Sequence, residues 1–264
     1  MGKLHTSIGK YLGFSGTYNS GGLFKLNELN QFTIPSTGLI LHLDAGSKRS
    51  YPGTGTVWYD LSPSGYHFNI VAKAYQDIGP KYMDFNGTTG IAKSQISTET
   101  AAPASYTILV WTRIRNSTTQ WRTLTRPYTG DHVVICEDGS WRVGMYDNDA
   151  AGFLDSGFLQ TNFPGQGTGT WMFLHLRINN ISSPYWQMSY NNTPNTIRSS
   201  ITDSRAYSQR ILGNIGGWGD SDTTNPSLSS QWWGDIAQYY MYNRTLSNDE
   251  ILQIFNSTRN RFGI

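Results

Sequence analysis

The chain has 264 residues, and 20 Lys plus Arg set against 18 Asp plus Glu leave a formal charge of only +2. That balance excludes the concentrated positive field on which a nucleic-acid groove or a polybasic membrane face depends. Charged residues make up 14% and aromatic residues another 14%, 28 glycines sit among abundant Ser, Thr and Asn, and Glu occurs only at Glu28, Glu99, Glu137 and Glu250. This is the composition of a turn-rich all-β chain, not of a helical one.

In chain order, residues 1–37 scatter Leu4, Ile8, Leu12, Phe14, Phe24, Leu29 and Phe32 among glycines without a sustained period. Such a stretch cannot build a core of its own, yet it is too apolar for a solvated linker. Two readings follow: an assembly arm that lies along a neighbouring subunit or partner, which is preferred, or a segment packed back over its own domain. Gly9, Lys10, Gly13 and Gly16 interrupt any apolar leader, and no run approaches 18 apolar residues, so neither a signal peptide nor a membrane span is expected.

From Gly38 onward short apolar or alternating runs predict strands at Leu39 to Asp44, His67 to Val71, Lys81 to Phe85, Tyr106 to Arg115 and Val133 to Cys136. Further strands are predicted at Trp141 to Tyr146, Trp171 to Asn179, Tyr185 to Tyr190 and Ile236 to Tyr242. Such a number of strands implies two packed sheets or a closed barrel. Both faces of Tyr106 to Ile114 are apolar, which predicts cover on each side. In Trp171 to Ile178 the set Met172, Leu174, Leu176 and Ile178 faces the core, which leaves His175 as a cross-strand surface residue.

Asn86-Gly87 supplies the positive φ angles of a tight hairpin, and Asn191-Asn192 can do so less readily. Near the end, Ser247 and Glu250 form a capping box with Leu246 and Ile251 at the staple positions, which predicts a helix over Asn248 to Thr258. Cys136 stands alone in an apolar run, so it forms no internal disulfide and reads as buried and inert.

Reaction chemistry is sparse in the sequence. A glucanase on such a sandwich needs two carboxylates on one strand face, about 5 Å apart in the retaining case, and no Glu-x-Asp-x-Glu run exists. Glu137 and Asp138 are adjacent and would point to opposite faces. His5, His42, His67, His132 and His175 are isolated, and Gly213 to Gly219 lacks the Lys-Ser or Lys-Thr of a phosphate loop. Asp147 with Asp149, and Asp220 with Asp222 and Asn225, are oxygen-rich pairs in which solvated turn aspartates are preferred over a calcium site.

Aromatic rings are the unusual resource. Tyr51, Trp58, Trp121, Trp218, Trp232 and Trp233 lie in or beside Gly-rich or polar connections, where a ring can stack on the apolar face of a sugar while Asn and Asp take its hydroxyls. The competing reading places most of them in the rim of the sandwich.

Several segments together resemble the laminin-G-like, concanavalin A-type lectin/glucanase superfamily: Gly38 to Gly46, Trp58-Tyr-Asp-Leu-Ser-Pro-Ser-Gly65, Tyr82-Met-Asp-Phe-Asn-Gly87, Ser105 to Trp111, Gly169-Thr-Trp171, and above all Gly234 to Ile251. The resemblance spans residues 38–264 and implies an all-β jelly-roll sandwich of two antiparallel sheets, with a short C-terminal helix and an extended N-terminal arm over residues 1–37. Ala237 and Gln238 stand where the family often has an acidic pair, so any metal contribution from that pair is absent. The closing segment, through Asn256 to Ile264, is similar to versions in structural proteins of tailed bacteriophages.

The expectation is therefore a non-enzymatic virion protein without a cofactor. It would be displayed on the outside of the particle, anchored to capsid or tail proteins by its arm, present in many copies, and able to bind host glycans through Tyr51, Trp58, Trp218, Asp220, Asp222 and Trp232. A tail-fibre or tail-tip receptor-binding subunit is the first alternative, and a glycan hydrolase or depolymerase on the same fold the second.

Overall fold

A computed structural model describes residues 33–71, 74–87, 90–95, 104–115, 121–126, 133–138, 140, 142–147, 152–158, 169–179, 186–192, 213–217 and 230–264. Residues 1–32 and the side chains of Cys136 and Glu137 lie outside this set. The strands in chain order are β1 (Leu39–Asp44), β2 (Val57–Trp58), β3 (Phe68–Val71), β4 (Ala74–Gln76), β5 (Tyr82–Asn86), β6 (Ile91–Ser94), β7 (Ser105–Ile114) and β8 (Arg122–Arg126). They continue with β9 (Val133–Glu137), β10 (Val143–Asp147), β11 (Gly152–Phe158), β12 (Met172–Asn179), β13 (Trp186–Tyr190), β14 (Asn214–Ile215) and β15 (Trp233–Tyr242), followed by helix α1 (Asn248–Thr258) and a 3-10 turn at Arg259–Phe262.

Two antiparallel sheets face each other. The first runs β13-β12-β7-β15-β5-β4, with β1 also paired to β15, and the second runs β11-β10-β9-β8-β14-β6-β3-β2. This is the sandwich that the strand pattern predicted. Strand β15 carries two partners on one edge: its first half pairs with β5 and its second half with β1, and at the change of partner its register against β7, on the other edge, shifts between Ile236 and Gln238.

The main core lies between the sheets. Tyr106, Ile108, Val110, Leu174, Leu176, Ile178, Tyr239 and Met241 come from the first sheet, and Leu124, Val143, Met145 and Ile215 from the second. Gly216, at φ +82°, lies against the Phe85 ring, where a Cβ would overlap it at 1.8 Å, so only glycine lets that ring lie between the sheets.

A second apolar cluster covers the opposite face of the first sheet. Leu109, Trp111, Phe173, Tyr240 and Tyr242 meet Ile251, Ile254 and Phe255 of α1 and Phe262 of the 3-10 turn. Trp111 is its centre, stacked 3.9 Å from Phe262 and donating its indole N–H to Thr258 Oγ1 at 2.8 Å. The two apolar faces of β7 are thereby both covered, as its sequence required. The capping box of α1 forms as predicted, with Glu250 N donating to Ser247 Oγ and Ser247 N to the Glu250 carboxylate.

Three expectations are corrected. Gly87 has the positive φ foreseen for Asn86-Gly87, but β5 and β6 belong to different sheets, so the turn starts a crossover and not a hairpin. Asp147 closes strand β10 and does not sit in a loop. His175 is 1% exposed, because the chain around Asn191 and the Phe173 ring close over it, and burial holds its imidazole down at about pH 3.

The end of the N-terminal segment is docked on its own domain. Ile34 packs on the helix-side cluster, Tyr242 donates its hydroxyl proton to Pro35 O at 2.9 Å, and Arg244 Nε donates to Thr37 O at 2.9 Å. For residues 33–37 the packed-back reading therefore holds.

The buried imidazole of His175 makes stability acid-sensitive. The unfolded chain takes up the proton near pH 6.5 and the folded chain only near pH 3, so stability is lost as pH falls through that window. His175→Gln should flatten the loss between pH 6.5 and 5, measured by urea denaturation at stepped pH.

Candidate functional site

Among the residues predicted to touch a ligand, Trp58 and Trp232 are 0% and 1% exposed and Tyr51 is 6% exposed. All three belong to the core between the sheets. Neither tryptophan has a free face for a sugar. Tyr51 donates its hydroxyl proton to Gly55 O and packs on Tyr75, which accounts for it structurally. Trp218, Asp220, Asp222 and the second oxygen-rich loop lie outside the described residues. Among the described residues no group of three or more His, Cys, Asp or Glu side chains is placed to hold a metal ion.

The Trp58-x-Asp60 turn is also structural. Asp60 is buried, and its two oxygens accept from His42 N, Ser62 N, Ser62 Oγ and Tyr66 N at 2.6 to 2.9 Å. One carboxylate thus satisfies the backbone of a whole loop and fixes it to β1.

A charged cluster lies on the helix-side face of the first sheet, beyond the reach of α1. Asp84 and Asp235 are direct partners across β5 and β15, and Asp235 is likewise opposite Arg113 of β7. Arg113 Nε donates to Asp235 Oδ2, and Arg115 donates to Asp84 while its Nε stands 3.4 Å from Asp235 Oδ1. The Arg113 guanidinium lies 4.7 Å from the Tyr82 ring and 5.0 Å from that of Trp171. Burial raises the Asp235 carboxyl above the ordinary range against the pull of Arg113. Two carboxylates from strands far apart in the chain are thereby brought to one spot, which a search along single strands cannot reveal.

The second sheet carries a different surface. Val143 and Met145 of β10 point into the core, so Gly144 and Tyr146 take the outer face, and Phe153 and Asp155 do so on β11. Trp121, just before β8, is 40% exposed and reaches across β9 to meet Tyr146 at 5.1 Å and Phe153 at 5.4 Å, both edge to face. The Arg142 guanidinium covers Phe153 at 5.2 Å. Arg142 is in turn held by Asp138, through Nε at 2.7 Å, and by Asp155 at 3.3 Å. A Cβ on Gly144 would stand 2.9 Å from the Phe153 ring and 2.1 Å from Leu154 O, so glycine is what lets that ring lie flat along the strand.

Trp121 was named in the sequence among the unusual rings but not among the ligand candidates. The rings joined to it, Tyr146 and Phe153, sit on other strands and show no local signal. An exposed indole with two supporting rings, and with the Asp155 carboxylate on the Arg142 that covers Phe153, has the parts of a sugar platform: an apolar face for the ring carbons and an acceptor for hydroxyls.

No family model matches the chain, and no curated protein matches it. Solved structures do. Trypanosoma rangeli sialidase in complex with sialic acid is similar at 15% identity and a TM-score of 0.59, over 86% of this chain and 34% of that one. The binding domain of botulinum neurotoxin DC in complex with SialylT is similar at 13% identity and a TM-score of 0.58, over 84% of this chain and 52% of that one. A botulinum neurotoxin type C structure, whose cell entry is described as dependent on two ganglioside molecules, is similar at 14% identity and a TM-score of 0.57, over 89% of this chain and 53% of that one.

The fold is a lectin-like β-sandwich. The chain spans about a third of the length of the sialidases it resembles. Because these similar structures include glycosidases, the expectation that the chain is no enzyme is corrected. The Asp84 and Asp235 pair removes its other support, the want of facing carboxylates.

If the Asp60 turn is structural, Asp60→Ala should lower stability by about 3 kcal/mol, since several buried donors lose a charged acceptor together. Chemical denaturation with the m-value unchanged is the check.

Proposed function

We propose that this chain is a carbohydrate-binding sandwich of a virion, held by its leading segment and meeting host glycan through the outer face of the second sheet. The observation that carries the binding reading is the Trp121 surface: a 40% exposed indole braced by Tyr146 and Phe153, with Asp138 and Asp155 holding the Arg142 that covers Phe153. Similarity in fold to binding domains solved with glycan ligands supports it.

The virion setting rests on two things. The closing segment is similar to tailed-phage structural proteins, and the leading segment is too apolar to stand free in water. Residues 33–37 meet the sandwich on the α1 side, whereas Trp121 lies on the far side of the other sheet. Tether and binding face thus point in opposite directions, the arrangement that display on the outer surface of a particle requires. Many copies convert weak single contacts into firm adhesion.

A second reading, glycoside hydrolysis, is favoured by the Asp84 and Asp235 pair, one member of which burial biases toward the protonated form. It ranks below binding because Arg113 and Arg115 already occupy both carboxylates and Asp235 is fully buried. Release of reducing sugar from host polysaccharide, abolished by Asp235→Asn, would place it first.

Trp121→Ala should weaken retention on host polysaccharide about tenfold or more in affinity electrophoresis, while unfolding free energy falls by no more than about 2 kcal/mol. Unchanged retention would end the platform reading. Deleting residues 1–32 should leave the melting temperature intact and abolish incorporation into particles. Extending the deletion to residue 37 should also destabilise the fold, because it removes the Pro35 and Thr37 carbonyls that Tyr242 and Arg244 hold.

A further inference from the structure

Resting on the Trp121 reading, a finer inference concerns which sugars that surface takes. Arg142 is the obvious partner for an acidic sugar, but each of its three guanidinium nitrogens already faces a carboxylate. Its Nε stands 2.7 Å and its second amino group 2.5 Å from Asp138 Oδ2, and its first amino group 3.3 Å from Asp155 Oδ2. The other oxygens are also engaged: Asp138 Oδ1 accepts from Ser140 N and Arg142 N, and Asp155 Oδ1 from Gly157 N. One cation against two anions leaves the described surface net negative.

The chain around it has the same sign. Residues 121–158, which supply β8 to β11 and their connections, contain six Asp or Glu against three Arg, of which Arg122 and Arg126 are buried, although the whole chain is net positive at +2. Residues 116–121, which lead to the indole, contain no charge at all. A glycan that stacks on Trp121 therefore comes up against a local negative field. Hydroxyls and amides tolerate that field, and a sugar carboxylate is repelled by it.

We infer that the Trp121 surface selects neutral saccharides and rejects acidic ones, sialic acid included. In this it parts from the ligands named with the similar solved structures, which are sialic acid and sialylated or ganglioside glycans. The fold is shared, and the charge set on its outer face decides the ligand.

The test uses the full chain on an array of neutral oligosaccharides, each printed beside the same oligosaccharide capped with sialic acid. Neutral members should be retained at least about fivefold better than their capped partners in moderate salt, with the gap widening as salt is lowered. Trp121→Ala should remove retention of the neutral members. Asp155→Asn, which withdraws one negative charge and frees one face of Arg142, should at least halve the discrimination.

Equal or stronger retention of the capped members, lost on Trp121→Ala, would overturn the selectivity while leaving the binding surface in place. A ratio unmoved by Asp155→Asn would overturn the electrostatic cause. Retention of neither class would take down the binding reading itself, and the selectivity with it.

Discussion

The stacking of Trp111 on Phe262 and Phe255, reinforced by its hydrogen bond to Thr258, decides which surfaces of this sandwich can work. It fastens α1 and the 3-10 turn over one sheet, so that β7 is buried on both sides and the outer face of the first sheet becomes a second core. The opposite sheet, whose outward residues include Gly144, Tyr146, Phe153 and Trp121, keeps a face in contact with solvent. Arg244 and Glu250 lock the same lid from its first turn: the guanidinium pulls the Glu250 carboxyl down to about 2, so the pair stays ionised through ordinary acid conditions.

Local signals were legible in the sequence. The Asn248–Thr258 helix was readable because its cap and staple lie within a few positions of each other, and β1 because a short apolar run passes into alternation at Leu41 to Asp44. What could not be read is what pairing creates. Short strands such as β2, β4 and β14 contain two or three residues and have no period to detect. The Asp84 and Asp235 pair, and the rings around Trp121, exist only once strands far apart in the chain are set side by side.

Trp58 and Trp232 show how a correct rule can choose buried rings. A Trp close to glycines reads as a ring on a polar connection, yet at Gly234, two residues on from Trp232, a Cβ would approach the Trp232 indole nitrogen at 2.8 Å. Here the glycine makes room for a buried ring and does not signal a loop at the surface. Trp121 has no adjacent glycine and precedes a charged strand residue, Arg122, that is itself buried, with its guanidinium 5.1 Å over the Trp233 ring. Sequence neighbourhood inverted the order of exposure among these rings, because in a sandwich the side of the sheet, not the polarity of adjacent residues, sets burial.

The commitments of charged and polar donors differ between the two sides of the molecule. On the α1 side, Arg244 and the neutral amide of Gln253 donate to the carbonyls of Thr37 and Thr33, and Arg261 donates to that of Pro80, so the donors there are spent in holding backbone. On the far side Arg142, which covers the Phe153 ring, is consumed by Asp138 and Asp155, and Arg122, next to Trp121 in the chain, is buried and donates to Gly87 O and Gln231 O. A fold shared with sialic-acid-bound structures thus carries no uncommitted guanidinium on its described aromatic surface. Its recognition of any glycan there must come from ring stacking and hydroxyl acceptors, interactions whose strength depends little on salt.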